Sequence, residues 1–211
     1  MALHSLLSSL FSWLPRFAAP SPASAPAPSL PVPIPSRSAF RPEPMVAWGA
    51  RVTGDFKRKT IAIARRLGMD PNHLMAIMAF ETGRTFDPAI TNRAGSGATG
   101  LIQFMPATAK ALGTTTAQLA VMSAVDQLDY VETYLAPYKG KMGDLASAYM
   151  AVLYPRAVDK EPGYVLFRKG SVAYRLNRGL DTNGDGAVTK TEAASKVEAL
   201  LIEGLRPGVR G

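Results

Sequence analysis

From residue 55 onward, apolar residues recur at helical spacing and predict a series of short helices. Residues 55–68 place Ile61, Ala64 and Leu67 inward, while Lys57, Arg58, Lys59, Arg65 and Arg66 fall on a solvated face. A helix over 70–82 opens with Asp70 as its cap and Pro71 at the first helical position, where no backbone donor is lost. Leu74, Ile77 and Met78 form its core face, Glu81 follows on that same face, and Gly83 stops it. A helix from Pro106 to about Leu112 comes next, then a break at Thr114-Thr115-Thr116. Ser123 with Asp126 opens another, whose stripe of Val125, Leu128, Val131 and Leu135 runs to Pro137. Asp144 caps a helix over 145–153 that carries Tyr149 into the core before Pro155. Tyr164 to Phe167 read as a strand or a helical turn, and 156–180 receive no assignment. A last helix over 189–203 turns Ala193, Val197, Leu200 and Leu201 inward, with Gly204 and Pro207 ending the ordered chain.

The N-terminal part is different in kind. Leu3, Leu6, Leu7, Leu10, Phe11 and Leu14 share one helical face and Ser5, Ser8, Ser9 and Ser12 the other. This suits either a membrane-surface or docking helix, or a secretory signal with Ala23-Ser24-Ala25 as its cleavage site; no Lys or Arg precedes the apolar part. It is too short and too rich in serine for a standard spanning helix. Residues 15–45 hold ten of the 17 prolines, with Ala and Ser between them, and predict an extended linker without a core. The folded part is therefore expected from about residue 46.

The chain of 211 residues suits one domain with appendages, and no cysteine is present, so no disulfide supports the fold. A net charge of +8 suits nucleic acid, anionic membranes or anionic envelope polymers. No nucleic-acid motif accompanies it, so no nucleic-acid partner is expected.

The candidate chemistry lies in residues 80–106. A carboxylate on a buried helix face, such as Glu81, loses hydration in its charged form, so its pKa rises and it can serve as a general acid near neutral pH. The bland alternative is a helix-end Glu in solvent or paired with Arg84. The run Gly95-Ser96-Gly97-Ala98-Thr99-Gly100 permits tight turns or close backbone approach to a ligand, but lacks the Lys of a phosphate loop. Gln103 sits in the apolar run Leu101 to Met105, where its amide must find partners; a sugar hydroxyl or acetamido group would serve.

Glu81-Thr82-Gly83, Gly97-Ala98-Thr99-Gly100-Leu101-Ile102-Gln103 and Met105-Pro106-Ala107-Thr108-Ala109 together resemble the motifs of soluble lytic transglycosylases. The match is strong over about residues 74–112 and weaker to about 155. The chain departs from the family pattern in having Thr82 for Ser, Ala94 for a loop Ser, and Ala148-Tyr149-Met150-Ala151-Val152 for Ala-Tyr-Asn-Ala-Gly. The resemblance implies a mainly α, goose-type lysozyme-like domain over 46–160 that cleaves the MurNAc–GlcNAc β-1,4 bond of peptidoglycan. It also implies Glu81 as the single acid/base, a 1,6-anhydro product, and no cofactor for the chemistry. Gln103, Ser96, Thr99, Gly100 and Tyr149 would contact substrate or wall the site, with Tyr149 positioning Glu81. Asp87 is a second carboxylate only by proximity in sequence.

Residues 181–192 fill the twelve positions of an EF-hand loop within the C-terminal part, 161–207. Asp181, Asn183 and Asp185 supply side-chain oxygens, Ala187 a carbonyl, Thr189 a contact through water, Glu192 a bidentate carboxylate, and Gly186 the sharp turn; calcium in a structural role is expected. The alternative is an Asp/Asn/Gly turn in which Glu192 completes a capping box with Thr189.

Two rival functions stay open: a hydrolytic muramidase on the same fold, and a non-catalytic calcium-dependent wall-binding or virion module. The setting expected is the bacterial periplasm or cell wall, reached by secretion or as a phage lysin or virion component. Residues 1–14 are a candidate membrane or virion contact, and the protein is expected to be a monomer unless assembled in a virion.

Overall fold

The computed structural model describes residues 44–92 and 95–211; the N-terminal segment and linker readings over 1–43, and the reading at Ala94, lie outside the described residues. Eight α-helices and one two-stranded sheet are formed among the described residues. The predicted helices appear as α1 (Gly54–Leu67), α2 (Pro71–Glu81), α3 (Pro106–Ala111), α5 (Ala124–Leu135), α6 (Leu145–Leu153) and α8 (Lys190–Gly204). Three of their N-termini are closed by the predicted side chains. Asp70 accepts from the Asn72 amide, Ser123 from that of Asp126, and Asp144 from that of Ser147.

Other elements go beyond the sequence reading. The Thr114–Thr116 segment is not merely a break: the Thr115 hydroxyl accepts from the Gln118 amide and caps α4 (Thr116–Val121). The unassigned stretch yields strand β1 (Val165–Arg168) and α7 (Val172–Asn177). Strand β2 (Ala187–Thr189) pairs antiparallel with β1, setting Val165 opposite Thr189 and Arg168 opposite Ala187, with an irregularity between Val165 and Phe167.

The core is built around α2. Leu74 through Ala79 are all buried, so the helix is enclosed around its circumference rather than along the single face the periodicity predicts. Helices α1, α6 and α8 pack against it. The chain also stays ordered past Pro207, contrary to the sequence reading. Val46 and Gly211 exchange backbone hydrogen bonds at 2.8 and 3.2 Å, and the Ala50 amide donates to Val209 at 3.1 Å. Trp48 completes this closure: its indole N–H donates to the Leu200 carbonyl at 2.9 Å and its ring covers Gly204. A Cβ at Gly204 would lie 2.4 Å from the indole, so glycine is required there for close approach. Among the described residues no helix is long and apolar enough to cross a membrane.

Candidate active site

Glu81 is the last residue of α2 and only 3% exposed. Its Oε1 has no hydrogen-bond partner among the described residues. Burial alone pushes its pKa up from 4.5 to about 8. Arg84 does not neutralise it. The guanidinium of Arg84 grips both carboxylate oxygens of Glu203 on α8 at 2.8–3.2 Å. The backbone turns sharply after Glu81 through Gly83 and Arg84, both left-handed, and the Arg84 amide closes back on Ala79. Thr82 is fully buried, donating to the Met78 carbonyl at 2.7 Å and accepting from the Phe86 amide at 3.0 Å.

Tyr149 comes to the same place from α6. Its ring meets Phe80, the neighbour of Glu81, edge-on with centroids 5.6 Å apart. Burial, and then the charge of Glu81, raise the Tyr149 phenol well above its usual range. Met150 and Val152, which fill the positions of the family's Asn and Gly, are buried in the core. Asp87 is exposed and accepts from the Ala89 amide. Among the described residues the buried acidic side chains are Glu81 and Glu192, and Glu192 belongs to the C-terminal loop.

The Gly-rich loop folds back on itself through paired backbone bonds between Thr99 and Phe104, while the Gly100 amide donates to Ile90. Gln103 adopts a left-handed backbone (φ 53°), and its side-chain N–H₂ donates to the carbonyls of Ile90 and Gly100, both at 3.2 Å. Those donors tie the loop together instead of pointing to a ligand. The Thr99 hydroxyl donates to Gly97, and the Ser96 hydroxyl accepts from the Ala98 amide.

The residue that holds this loop to the helices is Gln127 of α5, which sequence reasoning missed. It is fully buried; its carbonyl accepts from the Leu101 amide at 2.7 Å and its N–H₂ donates to Pro88 and Leu119. Gly100 has φ 86°, and a Cβ there would lie 2.3 Å from the Gln127 oxygen. The available signal was a polar side chain beside Leu128 within an apolar stripe. Gln127→Leu should cost roughly 3–5 kcal/mol in a denaturant titration, because the buried backbone groups of Leu101 and Leu119 and the half-buried Pro88 carbonyl lose their partners together.

In the C-terminal loop, Asp181 accepts from the amides of Gly184 and Gly186 and from the Tyr174 hydroxyl at 2.6 Å. Asp185 accepts from the Ala187 amide and from the Asn183 side chain. The capping box is present: Glu192 Oε2 accepts from the Thr189 amide and hydroxyl, and its Oε1 from Thr182. Hydrogen bonds of this kind hold both the Asp181 and Glu192 carboxylates below their usual range. Among the described residues no group of three or more His, Cys, Asp or Glu is arranged to hold a metal ion.

The site lies within a segment that has a known counterpart. Residues 59–152 match the transglycosylase SLT domain. Neither the curated proteins nor the solved structures contain a significant match. The mainly helical architecture agrees with the lysozyme-like fold of the SLT domain. The matched segment runs from α1 to α6 and so includes Glu81, the Gly-rich loop, Gln127 and Tyr149. Proteins with an SLT domain are peptidoglycan-cleaving enzymes, so the match implies peptidoglycan as the substrate class. Helix α8, which packs on α2, lies outside the matched segment.

Proposed function

We propose that this protein is a peptidoglycan lytic transglycosylase that uses Glu81 as its only acid and base. The observation that carries this reading is a carboxyl only 3% exposed, with its Oε1 unpartnered, whose burial pushes its pKa up to about 8, and no second buried carboxylate beside it among the described residues. A glycosidase that activates water or forms a covalent intermediate uses two carboxylates flanking the bond. One is enough when the nucleophile belongs to the substrate. Glu81 first gives its proton to the glycosidic oxygen as the C1–O bond breaks. The resulting carboxylate then accepts the proton of the muramoyl C6 hydroxyl, whose oxygen bonds to C1. The product is a 1,6-anhydro ring, and Glu81 regains its proton. Tyr149, buried against Phe80, fixes the wall behind the carboxyl.

Digestion of purified peptidoglycan followed by mass spectrometry tests this. Muropeptides lighter by one water than reducing ones are expected. Reducing ends would indicate hydrolysis, and intact peptidoglycan that retains bound protein would indicate a wall-binding module.

We further propose that the 181–192 loop takes a structural calcium ion, with side-chain oxygens from Asp181, Asn183, Asp185 and Glu192, the carbonyl of Ala187, and Thr189 acting through water. The all-oxygen donor set suits a hard cation, which would have to draw the side chains together and displace the Thr182 and Thr189 hydrogen bonds that Glu192 accepts. Calcium at about a hundred times its Kd should stabilise the fold by about 2.7 kcal/mol, and Asp181→Asn should remove that gain. A thermal midpoint indifferent to calcium would dismiss the site.

A further inference from the structure

The turn that follows Glu81 carries more backbone strain than a helix stop requires. A helix end of this kind needs one left-handed residue, and Gly83 (φ 61°) supplies it. The Gly83 amide then donates to Phe80 at 3.3 Å and the Arg84 amide to Ala79 at 2.7 Å. Here the chain goes further. Arg84 (φ 74°) and Phe86 (φ 53°) are left-handed as well, and each carries a Cβ that disfavours that conformation. Residues in such conformations persist only where their surroundings hold them.

The hold comes from three distant parts of the chain. The Phe86 ring stands edge-on to Phe56 of α1, with centroids 5.9 Å apart, and tilted against Trp48 at 6.4 Å. Phe86 is buried, so packing fixes it. Arg84 is half-exposed, and its hold on the fold is the fork of its guanidinium on both carboxylate oxygens of Glu203. Trp48, Phe56 and Glu203 all lie outside residues 59–152, the segment that matches the SLT domain.

We propose that Arg84 and Glu203 are positioning residues for Glu81: their pair keeps the left-handed turn closed, and the closed turn keeps the end of α2 and its carboxyl out of water. This rests on the reading of Glu81 as the acid. The pair acts through the backbone and not through its charge, since burial is what displaces the Glu81 carboxyl. The phenols of Tyr149 on α6 and Tyr134 on α5, which Glu81 influences, are both raised and so uncharged at neutral pH. Lys59 and Arg66 of α1 turn to Asp129 and Glu132 of α5.

Two substitutions at one position separate the turn from the charge. Arg84→Ala loses the pair and keeps the strain, whereas Arg84→Gly loses the pair and accepts the left-handed conformation freely. Full-length proteins with isotopically labelled glutamate are titrated by NMR, the Glu81 carboxyl signal being the one that Glu81→Gln removes. In Arg84→Ala the Glu81 midpoint should drop from about 8 toward 4.5. Its kcat on peptidoglycan should fall about tenfold while KM stays within about twofold. Glu203→Ala should behave in the same way, and Arg84→Gly should keep the parent's midpoint and rate. Ala and Gly variants of Arg84 that titrate alike would overturn the proposal, as would a Glu203→Ala protein that titrates like the parent. Cleavage that persists in Glu81→Gln would overturn the catalytic reading instead, and the NMR midpoints would still decide the role of the pair.

Discussion

Glu81→Gln should abolish peptidoglycan cleavage and at the same time make the folded protein more stable near neutral pH. The loss of activity follows from removing the proton that the leaving oxygen needs, an effect expected to exceed about a thousandfold in kcat. The gain in stability follows from linkage. Below 4.5, folded and unfolded chains both hold the Glu81 proton, and the side chain contributes no pH dependence. Between 4.5 and about 8 the unfolded chain releases the proton while the folded one keeps it, so stability falls as pH rises. Above about 8 both states are ionised and the penalty is constant. Near pH 7 it is on the order of 3 kcal/mol, and glutamine, which never ionises, escapes it. Urea titrations of both proteins at about pH 4 and about pH 7 should therefore agree at the lower pH and diverge at the higher. A variant less stable than the parent at both would show that Glu81 is held by partners rather than isolated.

Trp48→Ala is expected to cost about 3–5 kcal/mol in a denaturant titration. The indole is 2% exposed, fills the space over Gly204, and donates to Leu200. Its loss would free the end of α8, and α8 packs on α2 and is tied to the turn after Glu81 by Arg84 and Glu203. Cleavage should fall with stability even though Trp48 lies outside the segment that matches the SLT domain. A variant that keeps its stability would mean that the closure of 46–50 on 204–211 is incidental.

Local information carried most of what the sequence revealed. Asp70, Ser123 and Asp144 were legible as caps because a cap is a short-range bond between a side chain and an amide two or three residues on. Glu81 was legible because its spacing from Leu74, Ile77 and Met78 puts it on a buried face. Helix α4 was not, because only Leu119 of its six residues is buried and its threonine cap reads equally as a turn. The return of 205–211 onto Val46 and Trp48 leaves no periodic signal, since it joins the two ends of the folded part. Gln103 was expected to turn its amide to a sugar, yet its donors close the loop on Ile90 and Gly100. Spacing shows that a buried amide needs partners and does not show which ones it finds.

The pH dependence of kcat/KM on purified peptidoglycan tests the central claim most directly, because it reports the ionisation of the free enzyme's essential acid. A buried Glu81 that must be protonated predicts a rate sustained through neutral pH and falling about tenfold per pH unit above about 8. A rate that already falls above 4.5, the ordinary value for glutamate, would contradict it.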